Sequence, residues 1–314
     1  MRLVYLVPPI IVVVIAIVFL LTQNTIIAQD QTCLEIIPGH NNPDLDRINV
    51  VFVAFNMSQE DMVTILPYYV DFNGTGLTTT IEKKHRLRTE EGFELIEETK
   101  TMIFNGLLGI DPFSLYKDRF NFWYIPSSQL LTEPSQISGN NYCSYYCISD
   151  VEKTCNLPNT YPIYLCNANC QSYGSWGSNK AYLSHSYSSE GKFDPFSITM
   201  LVHEFGHSFG DLKDEYFYTG GKNASGYPNC APNQSTAEQW WGHLVGQGEG
   251  DLEIGYFKGC SYNSENIRPS NSSIMKSTFA YSEFNLVCKE YLIKKLGMFT
   301  GGPNPQEHEV SPSR

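Results

Sequence analysis

The sequence is poor in charged residues, and its basic residues are fewer than its acidic ones. Of its 314 residues only 17% are Asp, Glu, Lys or Arg, and the formal net charge is −12. Such an acidic chain disfavours contact with a phosphate backbone. The sequence also contains no Gly-rich phosphate loop and no dinucleotide-binding fingerprint. These absences argue against nucleic acids and nucleotides as partners.

Long apolar runs are scarce as well, and the exception lies at the N-terminus. Residues 3–21 are apolar and follow Arg2. A segment of this length just spans a bilayer and is long for the core of a signal peptide. We expect residues 1–29 to be a retained signal anchor or a signal peptide cleaved after Ala28, with a buried helix as a third alternative. Either of the first two places residues 30–314 outside the cell, secreted or anchored at a membrane.

Cysteine is not scarce. The chain has nine cysteines, and five of them lie between residues 143 and 170 in a polar, turn-rich stretch. In an exported protein this cluster predicts disulfide bonds. The alternative is a second zinc site built from Cys-x-x-x-Cys pairs, which is typical of reducing compartments. The odd count leaves one cysteine unpaired. Cys33, next to the apolar segment, is the natural candidate, and the alternative is that Cys33 has a partner within the domain.

The remaining length suits one large domain or two subdomains. Prolines and a glycine break any element in residues 30–46, which we predict to be a linker. The domain itself is predicted to cover residues 47–297, followed by a flexible tail over residues 298–314.

Periodicity predicts the main elements of an α+β fold. Residues 48–55 form a near-continuous apolar run rich in β-branched side chains, which is typical of a central strand buried on both faces. Residues 58–70 are predicted to form a helix with Ser58 as its N-cap. Residues 90–108 are predicted to be a second helix and residues 119–125 another strand. This order predicts a mixed sheet with helices packed on it.

The most informative stretch is residues 203–207, which read His-Glu-Phe-Gly-His. Residues four apart leave the same face of an α-helix, so His203 and His207 suit two corners of a tetrahedral zinc site. Glu204 lies beside them, where it can take a proton from a zinc-bound water. The helix is predicted to start at Pro195, after Asp194 as N-cap. Apolar residues form its core face: Ile198, Leu201, Val202, Phe205 and Phe209.

A third protein ligand is needed. The metzincin pattern His-Glu-x-x-His-x-x-Gly-x-x-His holds as far as Gly210, but Lys213 stands where the third histidine would be. A protonated lysine cannot coordinate zinc. Gly210 lets the chain turn back under the metal, which makes Asp214 the first choice and Glu215 the second. Asp211 is the remaining candidate, although it lies close to the helix end.

With these residues in view, the chain resembles the IgA-peptidase-type zinc metallopeptidases, which are relatives of the metzincins. Residues 203–216, HEFGHSFGDLKDEY, are similar to that family's signature. Residues 47–57 are similar to its first strand, and residues 109–125 to its Pro-Phe, Tyr and Phe-Asn-Val-Trp segment. The Asp-Gly-Tyr that often follows the first strand is replaced by Phe-Asn-Met at residues 55–57. The resemblance covers most of residues 47–296.

The resemblance implies a metzincin-like α+β fold, in which a twisted mixed sheet carries the active-site helix. It implies an upper subdomain of about residues 47–210 and an irregular, disulfide-containing lower subdomain of about residues 211–297. It also implies an aspartate as the third metal ligand. Met275 resembles the methionine in the turn below the metal of metzincins. The strand before the helix, within residues 179–187, is expected to form the cleft rim that binds substrate as an added strand.

These features predict an extracellular zinc-dependent endopeptidase acting on a protein or peptide substrate. His203, His207 and Asp214 would hold Zn²⁺, which lowers the pKa of its water, and Glu204 would act as general base. Two tyrosines are candidates to assist: Tyr216 and Tyr281. The main alternative is a non-catalytic cell-surface binding module that keeps the zinc helix as a structural staple. Hydrolysis of a non-peptide amide is a third hypothesis.

Overall fold

The structure is a computed structural model, and it describes residues 33–55, 57–89, 92–125, 142–143, 155–166, 170–174, 178–184, 194–217, 227–278 and 283–299. The apolar segment 3–21, residues 300–314 of the predicted tail and Tyr281 lie outside these ranges. Within these ranges, no helix is long and apolar enough to cross a bilayer.

Strands and helices alternate unevenly along the chain. The strands are β1 (Leu34–Glu35), β2 (Ile48–Phe55), β3 (Leu77–Thr89), β4 (Gly92–Phe104), β5 (Phe120–Ile125), β6 (Thr160–Cys166), β7 (Tyr173–Gly174), β8 (Ala181–Ser184), β9 (Ile254–Cys260) and β10 (Asn263–Ser270). The α-helices are α1 (Gln59–Val70), α2 (Phe196–Ser208), α3 (Gln234–Trp241) and α4 (Leu286–Leu296). Short 3₁₀ segments are Leu107–Gly109, Phe113–Arg119, Gly242–Leu244 and Gly250–Leu252.

A six-stranded mixed sheet organises the fold, with the strand order β1-β5-β2-β6-β8-β7. Strands β5, β2, β6 and β8 are parallel, whereas β1 and β7 run antiparallel to their neighbours. Every residue of β2 is buried, so the predicted central strand is confirmed. Alternate residues face opposite sides: Val50 and Phe52 enter the main core, and Val51 and Val53 enter a second cluster beside the disulfides.

The helix predicted after the central strand is confirmed, but the prediction of a second helix over residues 90–108 is wrong. The hydroxyl of Ser58 accepts the Asp61 N–H at 3.0 Å and caps α1. Residues 92–104 form β4 instead of a helix, and they pair with β3 from Leu77–Phe104 to Thr89–Gly92. The Glu and Lys residues of this segment favour helix intrinsically. Pairing with the adjacent, Thr-rich strand overrides that preference.

Helix α2 carries the predicted metal motif and packs against the sheet. All five residues of its predicted core face are fully buried in the main core. The helix begins at Phe196, one residue later than predicted. Oδ1 of Asp194 accepts the Phe196 N–H at 3.0 Å. Ser208 is its last residue. The motif is therefore held on an element that the core fixes along its whole length.

Disulfides connect segments that are distant in sequence. The described pairs are Cys33–Cys155, Cys143–Cys170 and Cys230–Cys260. Cys166 is also disulfide-bonded, whereas Cys288 is free and buried. The prediction that Cys33 is unpaired is therefore wrong. Pairing of β1 with β5 brings the start of the predicted linker onto the sheet and Cys33 to Cys155. Disulfides of this number are typical of an oxidising compartment.

The region after α2 is less regular. It contains α3, the β9–β10 hairpin and α4, joined by turns and 3₁₀ segments. The Cys230–Cys260 disulfide ties the start of this region to the end of β9. A mixed sheet followed by an irregular, disulfide-containing segment is an α+β arrangement.

Candidate metal centre

Three buried side chains converge where α2 meets the segment that follows it. Nε2 of His203, Nε2 of His207 and Oδ1 of Asp214 lie 3.2 Å from one another. Ligand atoms about 2.0 Å from a tetrahedral zinc ion lie about 3.3 Å apart. The spacing of these three atoms thus matches one face of a zinc coordination tetrahedron.

The outer nitrogens of the two imidazoles are fixed by backbone carbonyls. Nδ1 of His203 donates to the Ile274 carbonyl at 2.9 Å, and Nδ1 of His207 donates to the Leu212 carbonyl at 2.6 Å. A carbonyl can only accept, so in the neutral imidazole Nδ1 carries the proton and Nε2 keeps its lone pair. Both lone pairs therefore face Asp214, which is the arrangement found in metal-binding histidines.

The two carboxylate oxygens of Asp214 have different surroundings. Oδ2 accepts the hydroxyl proton of Tyr262 at 2.6 Å. Oδ1 is buried, and Nε2 of His203 and Nε2 of His207 each lie 3.2 Å from it. Burial raises the pKa of Asp214, but His207 and His203 outweigh it and hold that pKa well below its ordinary value. A buried, ionised oxygen needs a positive charge against it, which either a protonated imidazole or a metal ion at this point would supply. The donor set fits a divalent metal ion.

His203 would have to lose a proton to bind a metal. Burial lowers its pKa, but the carboxylates of Asp214 and Glu204 outweigh this and raise the pKa of His203 to about 9. A metal and a proton compete for the same nitrogen. Metal affinity at this centre is therefore expected to weaken as the pH falls.

Glu204 lies beside the two histidines and is also buried. Its carboxylate and the two imidazoles form a buried group whose ligand atoms lie within 4.8 Å of one another, and this group could hold a metal ion. The backbone N–H of Gly174 donates to the Glu204 carboxylate. Burial raises the pKa of Glu204, and His203 and His207 oppose the increase. A carboxylate with a raised pKa suits proton transfer near neutral pH.

The cleft above these side chains has a volume of about 80 Å³ and a rim of tyrosines. Its lining includes Tyr142, Tyr173, Tyr216 and Tyr262. The hydroxyls of Tyr216 and Tyr262 lie 3.3 Å apart. Burial, followed by the Asp214 charge, raises the pKa of both tyrosines, so their hydroxyls remain protonated donors.

No family model matches this chain, and a search of curated proteins finds no match. The interpretation of the centre therefore depends on its geometry and on the chemistry of its residues.

The rim of the cleft differs from the prediction. Strand β8, which lies within residues 179–187, is inside the sheet between β6 and β7. The outermost described strand is β7, and Tyr173 and Gly174 of this strand line the cleft. The expectation that the strand directly before α2 forms the rim is wrong, because the chain adds an antiparallel edge strand outside it.

Gly174 has no room for a side chain. A Cβ atom there would lie 2.5 Å from the Glu204 carbonyl oxygen and 2.6 Å from Cβ of His207. Gly174→Ala is expected to push β7 away from α2 and to destabilise the fold by about 1–3 kcal/mol, because there is no free space for the added methyl group. Thermal unfolding and metal content should be measured beside Gly242→Ala, where Cβ would meet ordinary contacts of 3.4 Å. Equal stability of both variants would contradict a tight fit of β7 on α2.

The other two acidic candidates are directed elsewhere. Glu215 is fully buried. Its carboxylate accepts from three polar side chains: Asn229, Ser273 and Asn285. Asp211 forms an ion pair with Lys295 at 2.6 Å. Of the three acids considered from the sequence, Asp214 is the one that lies against the histidines.

Asn229 fixes the segment that carries Asp214. Its side chain accepts the Lys213 N–H at 2.9 Å and donates to the Lys213 carbonyl at 2.8 Å. The side chain of Lys213 lies over the ring of Tyr227, with Nζ 3.8 Å from the ring centroid. Lys213 is thus accommodated by packing beside Tyr227, next to the candidate metal centre.

Gly210 serves a different purpose from the predicted one. Its backbone is not left-handed; the left-handed residue is Asp211, with φ 52°. A Cβ on Gly210 would lie 2.6 Å from the Gly206 carbonyl and 2.7 Å from Cδ2 of Leu292. Glycine is needed here because α4 and the last turn of α2 approach so closely.

Met275 lies against α2, where a methionine was expected. It is fully buried, and its Sδ would be 2.8 Å from a Cβ on Gly206. Its carbonyl accepts the Glu215 N–H at 2.9 Å. The preceding residue, Ile274, supplies the carbonyl that orients His203. The turn around Met275 therefore supports both the helix and the segment after it.

Sequence reasoning missed Tyr262, Gly174 and the two carbonyls that orient the histidines. The carbonyls of Leu212 and Ile274 act through backbone position, so their side chains carry no signal. Gly174 could have been suspected only from its neighbours in space. Tyr262 is one of 20 tyrosines, and no motif distinguishes it.

Proposed function

We propose that this protein is a zinc-dependent endopeptidase of an oxidising, extracellular environment, secreted or anchored through its N-terminal apolar segment. The observation that carries the proposal is the triangle of two imidazole nitrogens and one ionised carboxylate oxygen with 3.2 Å sides. We assign His203, His207 and Asp214 as the metal ligands and Glu204 as the catalytic base. The resemblance of residues 203–216 to the IgA-peptidase-type signature supports the same function.

The donor set suits zinc, and the His-Glu-x-x-His pattern on α2 is typical of zinc peptidases. Two imidazoles and a carboxylate form a common set of three protein ligands in catalytic zinc sites, which leave a fourth position for water or substrate. Sites selective for calcium or magnesium instead use oxygen ligands almost entirely. The cleft beside Glu204 provides access from solvent to this open side.

When bound, zinc supplies a Lewis acid that makes water nucleophilic near neutral pH and polarises a substrate carbonyl. The residues of the chain divide the remaining work. Glu204 accepts the proton of the attacking water and then delivers it to the leaving amine nitrogen, so that the base is regenerated. The Gly174 N–H orients the Glu204 carboxylate for both transfers. The sequence of steps consumes one water and one peptide bond and leaves an acid and an amine.

A binding module with a purely structural metal is the alternative function. Such a site uses its ligands to hold the fold and has no need of a further carboxylate. Glu204 is only 5% exposed, and burying a carboxylate is energetically unfavourable. A purely structural site would gain nothing from this burial. This buried base favours hydrolysis over binding alone.

Metal removal and return would test the proposal. The purified protein should hydrolyse casein, lose that activity after dialysis against a chelator, and regain it on addition of one equivalent of zinc. Matched assays on small non-peptide amides would distinguish a peptidase from an amidase of another class. Zinc binding without hydrolysis of casein or of a peptide library would favour the binding module.

A further inference from the structure

The tip of the β9–β10 hairpin has an unfavourable backbone. Asn263 is paired with Cys260, so Ser261 and Tyr262 alone form the loop. Both have positive φ, 49° and 64° respectively. Two-residue hairpin loops of this conformation strongly prefer Asn-Gly, because most side chains disfavour left-handed backbone. A serine followed by a tyrosine is a poor choice for the turn alone.

The tip is fixed to the segment that carries Asp214. The Ser261 N–H donates to the Asp214 carbonyl at 2.8 Å, and the Tyr262 N–H donates to the Tyr216 carbonyl at 3.1 Å. Cys260, directly before the tip, is joined to Cys230 by a disulfide. The hairpin tip and residues 214–216 therefore form one unit.

The side chain of Tyr262 reaches the candidate metal centre from this tip. Its hydroxyl donates to Oδ2 of Asp214 at 2.6 Å, which is a short, charge-assisted hydrogen bond. Because that bond uses the only hydroxyl proton of Tyr262, Tyr216 is the donor in the contact between the two tyrosines. The Asp214 carboxylate is therefore held on its Oδ2 side, and Oδ1 is left towards His203 and His207.

We propose that Tyr262 is a positioning residue for the metal centre: its hydroxyl fixes the rotation of the Asp214 carboxylate so that Oδ1 faces the two histidines. This proposal rests on the proposed function, in which Asp214 is a metal ligand. Strained backbone that persists beside a functional site is expected where the strain serves that site. The left-handed tip is retained because it delivers the tyrosine hydroxyl to Asp214.

Loss of this hydrogen bond has a defined consequence. Without the Tyr262 hydroxyl, the Asp214 carboxylate keeps only its lesser interaction with Tyr216, so its oxygens can sample more directions. Removing an outer-sphere partner of a ligand typically weakens metal binding about 10- to 100-fold. Tyr262→Phe is expected to weaken zinc binding by that factor and to alter the visible spectrum of the cobalt-substituted protein.

A second variant separates positioning from turn formation. Tyr262→Gly removes the hydroxyl and also suits the left-handed backbone at φ 64°. If Tyr262 served the turn alone, Tyr262→Gly would bind zinc as tightly as the wild type, with an equal or higher melting temperature. Our proposal expects the same 10- to 100-fold loss of zinc affinity in Tyr262→Gly as in Tyr262→Phe.

The experiment is a zinc titration of the full chain in competition with a chromophoric chelator, which needs no enzymatic activity. Tyr256→Phe is the matched control, because Tyr256 lies on β9 of the same hairpin and does not line the cleft. Weakened binding in both Tyr262 variants, with the control unchanged, would support the proposal. If the zinc affinity of Tyr262→Phe lies within 3-fold of the wild type, this inference is overturned but the proposed function is not. A wild-type chain that binds no zinc would overturn the proposed function together with this inference.

Discussion

Glu204→Gln is expected to lower kcat about 10²- to 10⁴-fold while the zinc content stays unchanged, because the variant loses only the proposed general base. Glutamine has the shape of glutamate and can still accept the Gly174 N–H through its amide oxygen. It cannot take up a proton at catalytic pH. The three proposed ligands are untouched, so metal binding should persist. A discontinuous peptide-hydrolysis assay measures kcat, and elemental analysis of the same samples measures the zinc content.

A control for this substitution is available on the surface. Glu265→Gln removes one carboxylate of an exposed pair with Lys258, whose side chains are 73% accessible to solvent. Exposed pairs of this kind contribute little to stability. Wild-type activity is expected in Glu265→Gln. Undiminished hydrolysis in Glu204→Gln would instead show that Glu204 is not the base.

Asp214→Ala is expected to cost more than 100-fold in zinc affinity and to abolish hydrolysis with it. Loss of an outer-sphere partner already costs about 10- to 100-fold, and a direct ligand should cost more. The change also leaves His203 and His207 without the carboxylate that faces them. Isothermal titration with zinc, followed by a hydrolysis assay, measures both effects.

Asp211→Ala is the control for Asp214→Ala, because it also replaces an aspartate with alanine, three residues before Asp214. Asp211 forms a partly exposed pair with Lys295 and lies outside the triangle of ligand atoms. We expect unchanged zinc affinity and a loss of stability of about 1–3 kcal/mol, because alanine loses the ion pair and is less favourable than aspartate at the left-handed backbone of this position. Retained zinc in Asp214→Ala, or lost zinc in Asp211→Ala, would show that the ligand assignment is wrong.

Local sequence patterns predicted the parts of the fold that depend on local physics. The apolar face of α2 follows from helical spacing, and the fully buried run in β2 follows from its continuous hydrophobicity. The positions of His203 and His207 follow from the same helical spacing. Asp214 could be ranked first from the sequence, but Glu215 and Asp211 remained alternatives until their partners in space were known.

Features set by distant contacts could not be predicted. Strand β4 is rich in helix-forming residues and becomes a strand through pairing with β3. Cys33 is next to a predicted linker in sequence, yet the sheet brings it to Cys155. Gly210 was interpreted through its backbone freedom, whereas the structure requires its small size. Tyr262 reaches Asp214 through a turn conformation that its sequence does not favour.

The most direct test of the account is an anomalous difference map, collected at the zinc absorption edge from crystals of enzymatically active protein purified without chelators. If these three residues are the ligands, the map will show a single strong peak within about 2.0–2.2 Å of Nε2 of His203, Nε2 of His207 and Oδ1 of Asp214. A map of the active protein with no peak at these three atoms, or with the zinc held by other residues, would contradict the account.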